Sequence, residues 1–293
     1  MKKNIYTLLF STLFFTSVSM ASSDFYVEEV SKNLIVFTQN DQQGLIIINE
    51  NSSIVVDPMN QETTKNIQNF LATNDKPMIG HIIYSHSHWD RISTGKATLN
   101  KGIEVIAQQE CGMYLSNNNK DVLGPTIYFQ DTFKISDEGK EIDLYYYGPS
   151  HGECMIVIHL VEENLLFVPD LLHTKGASFP RDPTLPYLRP STLINFFTEL
   201  EKLAQEKEIT SFIGGHKEDK LIGMTSIIAE QRIFWELIET TAVQAGEDGI
   251  INLDNFIDLK KLDLEPYQQY ENYNSEDLIN IIRRYTSFEN MGR

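Results

Sequence analysis

Two imidazoles and a carboxylate stand within the run His86-Ser87-His88-Trp89-Asp90-Arg91, directly after the apolar stretch His81-Ile82-Ile83-Tyr84. Imidazole nitrogen and carboxylate oxygen are, with thiolate, the ligands that zinc accepts, and a strand breaking into a loop can aim alternate side chains at one point. The chemistry such a cluster offers is hydrolysis by metal-activated water, which needs no serine or cysteine nucleophile. A lone His-x-His in a polar loop carries no such meaning. The remaining ligands have to come from elsewhere in the chain.

Three further residues of the right type share one property, that each follows an apolar run. His151 lies in Gly148-Pro149-Ser150-His151-Gly152 after the run 142–147, Asp170 follows Leu166-Phe167-Val168-Pro169, and His216 follows Ile213-Gly214-Gly215. Residue types that bind metals, placed repeatedly at strand exits, are what a site built along one sheet edge requires.

The elements that would position them are legible from periodicity. Between residues 24 and 58, short apolar runs alternate with turn residues and read as an antiparallel meander. Ile67, Phe70 and Leu71 mark a helix over 61–72 that Lys76-Pro77 ends. A strand from Met78 follows, in which Gly80 marks a bulge or a close backbone approach. Next come a strand at 102–107, a short helix at 108–116, a polar loop at 117–119, strands at 133–135 and 142–147, and a hairpin joining 155–161 to 165–168. Ser191 is the expected N-cap of a helix over 191–206, a last strand spans 209–213, and two helices cover 221–244 and 275–287. Strands then helices, given twice, predict two sheets packed face to face with helices outside and a helical C-terminal extension.

On these residues the sequence resembles the metallo-β-lactamase superfamily, whose succession His-x-His-x-Asp, His, Asp or Cys, His is matched by His86, His88, Asp90, His151, Asp170 and His216. The resemblance spans roughly residues 28–220, with Val56-Asp57 and Gly214-Gly215-His216 also similar to that family's strand-end segments. It implies an α/β fold, an αββα sandwich of two mixed sheets with outer helices, over residues 22–220; the helical extension read from periodicity, 221–293, follows it. It implies zinc as cofactor, one or two ions, with Fe or Mn suited to the same ligands. One ion would be held by His86, His88 and His151, a second by Asp90, Asp170 and His216. Asp90 would orient the attacking water and take its proton. Asp57 would support the ligands from behind.

Arg91 departs from many hydrolases of that family, which carry a ligating histidine there; a guanidinium cannot ligate. Arg at this position resembles one subclass of true metallo-β-lactamases, but that subclass has Cys where this chain has Asp170. Arg91 is therefore expected behind the ligands, paired with Asp90 or Asp170, leaving a weaker second site. By the same resemblance His173 or Lys175 would meet a substrate carboxylate; Trp89, by its position between two candidate ligands, is expected to wall the pocket.

The strongest formal rival is Gly148-x-Ser150-x-Gly152 with Asp170 and His216 in the order of a serine hydrolase. A nucleophile elbow needs a helix after the serine, and here a strand pattern follows. A non-catalytic binding protein on the same fold is the alternative from another class.

Composition narrows the partners. A formal charge of −17 repels phosphate backbones, which argues against nucleic acid and anionic membrane surfaces. Lys2, Lys3, the apolar run 5–18 and Ser19-Met20-Ala21 read as a cleaved export signal over 1–21, implying a periplasmic or secreted protein with no lasting membrane insertion. Cys111 and Cys154 could pair in such a compartment or stay free. The acidic stretch 245–280 disfavours a glutathione thioester. The leading expectation is an exported zinc hydrolase acting on a small cyclic amide or ester, β-lactam or lactone; thioester, phosphoester or sulfate-ester hydrolysis on the same fold is the alternative.

Overall fold

The computed structural model describes residues 25–95, 102–115, 121–137, 140–247 and 262–291. The expected export signal at 1–21 and the polar loop at 117–119 lie outside them.

Strands β1 (Phe25–Glu29), β2 (Leu34–Gln39), β3 (Gln42–Ile48) and β4 (Ser53–Val56) form the antiparallel meander. Helix α1 (Gln61–Thr73) crosses over to β5 (Ile79–Ile83), which pairs parallel to β4. After the short helix α2 (Trp89–Ile92), β6 (Glu104–Gln108) and β7 (Ile127–Phe129) extend the same sheet in parallel, giving the order β1-β2-β3-β4-β5-β6-β7.

The second sheet begins with β8 (Thr132–Asp137), β9 (Lys140–Tyr146), β10 (Ile156–Leu160) and β11 (Leu165–Val168), each antiparallel to the one before it. Helix α3 (Pro190–Glu206) leads to β12 (Ser211–Gly214), parallel to β11, and β13 (Gly223–Met224) closes the edge. Helices α4 (Ile227–Glu247) and α5 (Ser275–Met291) follow.

The inner faces of the two sheets meet in one apolar layer, with Val36, Leu45 and Val56 from the first and Leu144, Ile158 and Phe167 from the second. The alternate residues of the same strands are buried as well. Ile35, Phe37 and Val55 face Ile67 and Leu71 of α1, while Val157 and Val168 face Phe196 of α3 and Trp235 of α4. Strands covered on both sides read as continuous apolar runs rather than as alternation, which is why Leu34-Ile35-Val36-Phe37 is apolar throughout. The result is the expected αββα sandwich. Helices α4 and α5 share the core of the second sheet's outer face with α3.

Local chemistry explains the boundaries. Asn60 caps α1 by accepting from the backbone N–H groups of Glu62 and Thr63. Helix α3 starts one residue earlier than expected, with Pro190 in its first turn and Arg189 at the cap position, because proline's fixed φ suits the helix start. Residues 223–224 form a strand where a helix is expected, since Gly223 lies flat on the Phe212 ring, where a Cβ would stand 2.4 Å from a ring carbon. Residues 109–113 form a 3-10 turn rather than a longer helix. At Gly80 the β4–β5 register shifts, and a Cβ there would meet Ser52 at 2.7 Å, so the glycine serves both as bulge and as close approach. Cys111, in the 3-10 turn, forms a disulfide with Cys154. Among the described residues no helix is long and apolar enough to cross a membrane.

Topology brings the chemistry to one edge. Val56 pairs with Ile83 in parallel, so the exits of β4 and β5 coincide; Val168 pairs with Gly214 in parallel, so the exits of β11 and β12 coincide. The β9–β10 connection lies at that same end, because Tyr146 pairs with Ile156 and β10 runs antiparallel to β11. The sheets are stitched together there. Ile156 N–H donates to Ser85 O at 2.9 Å, Gln43 N–H to Gly215 O at 2.8 Å and Lys217 N–H to Asp41 O at 2.7 Å.

Candidate metal centre

The loop after β5 starts with Ser85 and His86, both fully buried. Asp57, at the exit of β4 with φ 52°, turns its carboxylate beneath them. It accepts the Ser85 N–H at 2.8 Å and the Ser85 hydroxyl at 2.5 Å, while the same hydroxyl oxygen lies 2.9 Å from His86 Nδ1. A hydroxyl has one proton to give. With that proton on Asp57, the oxygen accepts from His86 Nδ1–H, which fixes the tautomer and leaves a lone pair on Nε2.

His86 Nε2 is buried with no hydrogen-bond partner. It faces two more imidazoles. The His86 and His88 rings lie 4.5 Å apart between centroids, His86 and His151 5.2 Å, and His88 and His151 4.7 Å, all edge-on. One nitrogen from each falls within 4.8 Å of the others, and among the described residues these three form the one such group of histidines, cysteines and carboxylates. Burial holds His86 well below the usual histidine pKa and His151 down to about 4, against the upward pull of Asp170 in each case. Three neutral imidazoles with convergent lone pairs are a donor set for a divalent metal, and the unpartnered buried Nε2 of His86 is the atom that such an ion would satisfy.

The other flank is composed differently. Asp170, at the exit of β11 with φ 64°, is buried. Its Oδ1 accepts a short hydrogen bond from Arg91 Nη2 and lies 2.9 Å from His216 Nε2. Its Oδ2 faces the histidines, 3.4 Å from His86 Nε2 and 3.6 Å from His151 Nε2. Arg91 is 0% exposed and reaches this position from α2, with Nη1 donating to Gln43 O at 3.1 Å and Gly215 O at 2.9 Å. Burial pulls the Asp170 pKa up, but Arg91 and His216 outweigh it and hold the carboxyl well below its usual range. Asp90 stands at the rim, half exposed, with a short hydrogen bond from Gln42 and its Oδ2 3.7 Å from Arg91 Nε.

A cavity of about 370 Å³ opens over these groups, lined by His88, Asp90, His151, Asp170 and His216 and roofed by Arg181, Asp182 and Leu185. The last three come from the long connection between β11 and α3, in which the sequence assigns roles to Asp170, His173 and Lys175 but none to Arg181, Asp182 or Leu185. Its length and its Phe179-Pro180-Arg181-Asp182-Pro183 run are the signal that marks it, because long ordered loops in compact domains tend to be functional.

The residues expected to read substrate are placed elsewhere. His173 is 6% exposed and its Nδ1 lies 2.7 Å from Glu218 Oε1, while Glu218 also accepts from Thr174. Lys175 pairs with Asp219 at 3.2 Å, and both His173 and Lys175 line a second cavity of about 290 Å³. Arg181 lies on the wall common to the two cavities and donates to Asp41 at 3.0 Å. Trp89 is absent from the lining residues. As the first residue of α2 it points outward and is 53% exposed. Ser150 is fully buried and β10, not a helix, follows it, which removes the basis for a serine nucleophile.

Comparison with known proteins agrees with this architecture. The family model for the metallo-beta-lactamase superfamily matches residues 42–216. A metallo-beta-lactamase type 2 of Bacteroides fragilis is 28% identical over 125 residues, 42% of this chain and 49% of that protein. One from Pseudomonas aeruginosa is 24% identical over 172 residues, 53% of this chain and 66% of that protein. The chain thus matches about half to two thirds of the length of these curated relatives. Among solved structures, a metallo-beta-lactamase from Pontibacter korlensis superposes with a TM-score of 0.62 at 16% identity, covering 72% of this chain and 99% of the other. That likeness is one of fold.

Proposed function

This chain belongs to the metallo-beta-lactamase superfamily, and on that premise we propose that it is an exported zinc-dependent hydrolase of a small cyclic amide or ester, of β-lactam or lactone type. The observation that carries the reading is the convergence of one ring nitrogen each from His86, His88 and His151 within 4.8 Å, with His86 Nε2 buried and making no hydrogen bond. His86, His88 and His151 would hold the ion. Bound zinc supplies a Lewis acid that polarises a carbonyl and brings the acidity of water near neutrality. The protein's own groups do the rest. Asp57 and Ser85 keep His86 in the ligating tautomer. Asp90, held by Gln42 at the open rim, would accept a proton from water and pass it to a leaving amine or alkoxide.

Size and lining support a small substrate. A cavity of about 370 Å³ lies in the range that encloses a drug-sized molecule, with Leu185 as an apolar contact and Arg181 as the cation facing it. The Cys111–Cys154 disulfide supports an oxidising compartment, as does the sequence of residues 1–21.

The test is a hydrolysis panel of chromogenic β-lactams and lactones, run beside elemental analysis of the purified chain. Zinc in the protein, activity lost with chelator and restored by zinc, and loss in His86→Ala are expected. Turnover that survives both chelation and His86→Ala would overturn the proposal.

A further inference from the structure

Arg91 is the least expected feature of the site. It is fully buried, yet it is neither a ligand nor a surface charge. Its Nη2 donates to Asp170 Oδ1 and lies 3.2 Å from His216 Nε2. Those are the two atoms on this flank that a second metal ion would have to share. His216 Nε2 lies in turn 2.9 Å from Asp170 Oδ1, so the three groups form a closed triangle. A nitrogen proton of His216 satisfies the carboxylate, and the guanidinium supplies the positive charge.

The surroundings are shaped for that guanidinium. Its Nη1 is anchored to two backbone carbonyls, Gln43 O and Gly215 O, one from each sheet. At Gly215 a Cβ would stand 2.8 Å from Arg91 Nη2 and 2.9 Å from Asp170 Oδ1, so only glycine leaves the ion pair its space. Asp90, the remaining carboxylate of this flank, is turned to Gln42 at the half-exposed rim. It does not join Asp170 and His216 in a three-ligand group of the kind His86, His88 and His151 make.

From this arrangement we propose that the chain is a one-metal protein, in which the Arg91 guanidinium occupies the place of a second ion and turns the free oxygen of Asp170 toward the three histidines. The inference rests on the metal-centre reading above. Arg91 is then a positioning residue: it fixes one carboxylate oxygen so that the other, 3.4 and 3.6 Å from two ligating nitrogens, faces the ion held there. A fixed monovalent cation cannot be removed by chelators or diluted away, so this half of the site keeps its charge when metal is scarce.

The experiment counts ions without using activity. The full chain, stripped with chelator and dialysed against micromolar zinc, is examined by elemental analysis and native mass spectrometry. A parallel titration with cobalt(II) follows the visible absorption band. One zinc per chain and a band that saturates at one equivalent are expected. Two equivalents bound at micromolar zinc would overturn the inference while leaving the metal centre standing; none would overturn the metal centre and this inference with it. Arg91→Ala, checked for folding by circular dichroism, should bind a second equivalent at least about tenfold more tightly than the wild type does. A folded Arg91→Ala chain that still stops at one equivalent would also count against it. Should that variant not fold, the wild-type count and the cobalt titration decide alone.

Discussion

The two flanks of the site are built by the same device and end in opposite electrostatic states. On one, His86, His88 and His151 leave strand exits with bare nitrogens facing one another, each held neutral by burial or its neighbours. On the other, Asp170 and His216 also leave strand exits, but Arg91 meets them and every charge is matched inside the protein. On the proposed reading, a ligand-type residue in a ligand-type place becomes a ligand only where the protein withholds its own partner. A buried donor atom left unsatisfied asks for an ion; one already paired with a guanidinium does not.

Removing the open flank should have the largest effect. His86→Ala deletes a ring nitrogen that is buried and makes no hydrogen bond, from the histidine that is 0% exposed. Zinc content should fall from one per chain to near zero, and hydrolysis by roughly a thousandfold or more, since the ion supplies both the electrophile and the acidified water. Elemental analysis and initial rates on the same preparation check this. Retained zinc would erase the distinction between the flanks.

The open flank also depends on a brace that the paired flank lacks. Cys154 lies three residues after His151, and its bond to Cys111 closes a loop with a sequence separation of 43. Replacing both cysteines with serine should cost about 4 kcal/mol of stability by loop entropy. Denaturant midpoints of the oxidised wild type and the double variant give the number. Zinc affinity should fall in the same variant, because the cross-link ties the His151 loop to the 3-10 turn.

Next in size is the support beneath His86. Asp57→Asn keeps the shape but weakens the chain from Asp57 through Ser85 to His86, and zinc affinity should drop about 10- to 100-fold. The same carboxyl has a pH signature in the metal-free protein. Burial raises its pKa from 3.8 to about 7, against Arg91 and Ser85, so the folded state holds the proton more tightly than the unfolded chain does. Its favourable contribution is therefore full below about pH 4 and is lost as the pH rises through 7. Urea midpoints of the chelator-treated wild type should fall between pH 5 and 8 by more than those of Asp57→Asn, the difference amounting to a few kcal/mol.

Much of this was legible in the sequence, and what was not has a physical reason. Apolar runs bounded by turn residues gave the strands, and metal-type residues at their exits located the edge that carries the site. The pairing of a buried Arg91 with Asp170 was legible from its chemistry, because a guanidinium cannot coordinate and needs a carboxylate partner. What periodicity does not encode is which way a loop turns. Trp89 sits between His88 and Asp90 in sequence, but α2 rotates it to solvent while burying Arg91. His173 stands three residues after Asp170, but Glu218, far away in the chain, captures it. Arg181 carries no spacing signal because the connection that holds it obeys no period, and only the folded chain brings it over the histidines. The strand at 223–224 was hidden for a related reason, since Gly223 is specified by the Phe212 ring it packs against.

The smallest effect is expected at His216, and it separates the flanks most sharply. If His216 were a ligand, its loss would cost a full coordinate bond. In the triangle it does less, because its Nε2 lies 2.9 Å from Asp170 Oδ1, an oxygen that Arg91 already holds from a fully buried position. Its other nitrogen is 3.4 Å from the half-exposed Asp41 and makes no hydrogen bond. His216→Ala removes one of two supports from an oxygen that points away from the histidines, so affinity for the first zinc should change by less than about threefold, near the net value of a single hydrogen bond. Arg91→Ala removes the other support and the compensating charge, leaving Asp170 a buried carboxylate with only imidazoles beside it, so stability should suffer far more there. Calorimetric zinc titrations of the two variants, set beside their melting temperatures, measure both effects. A His216→Ala affinity that collapses as far as that of His86→Ala would mean that the paired flank binds metal after all.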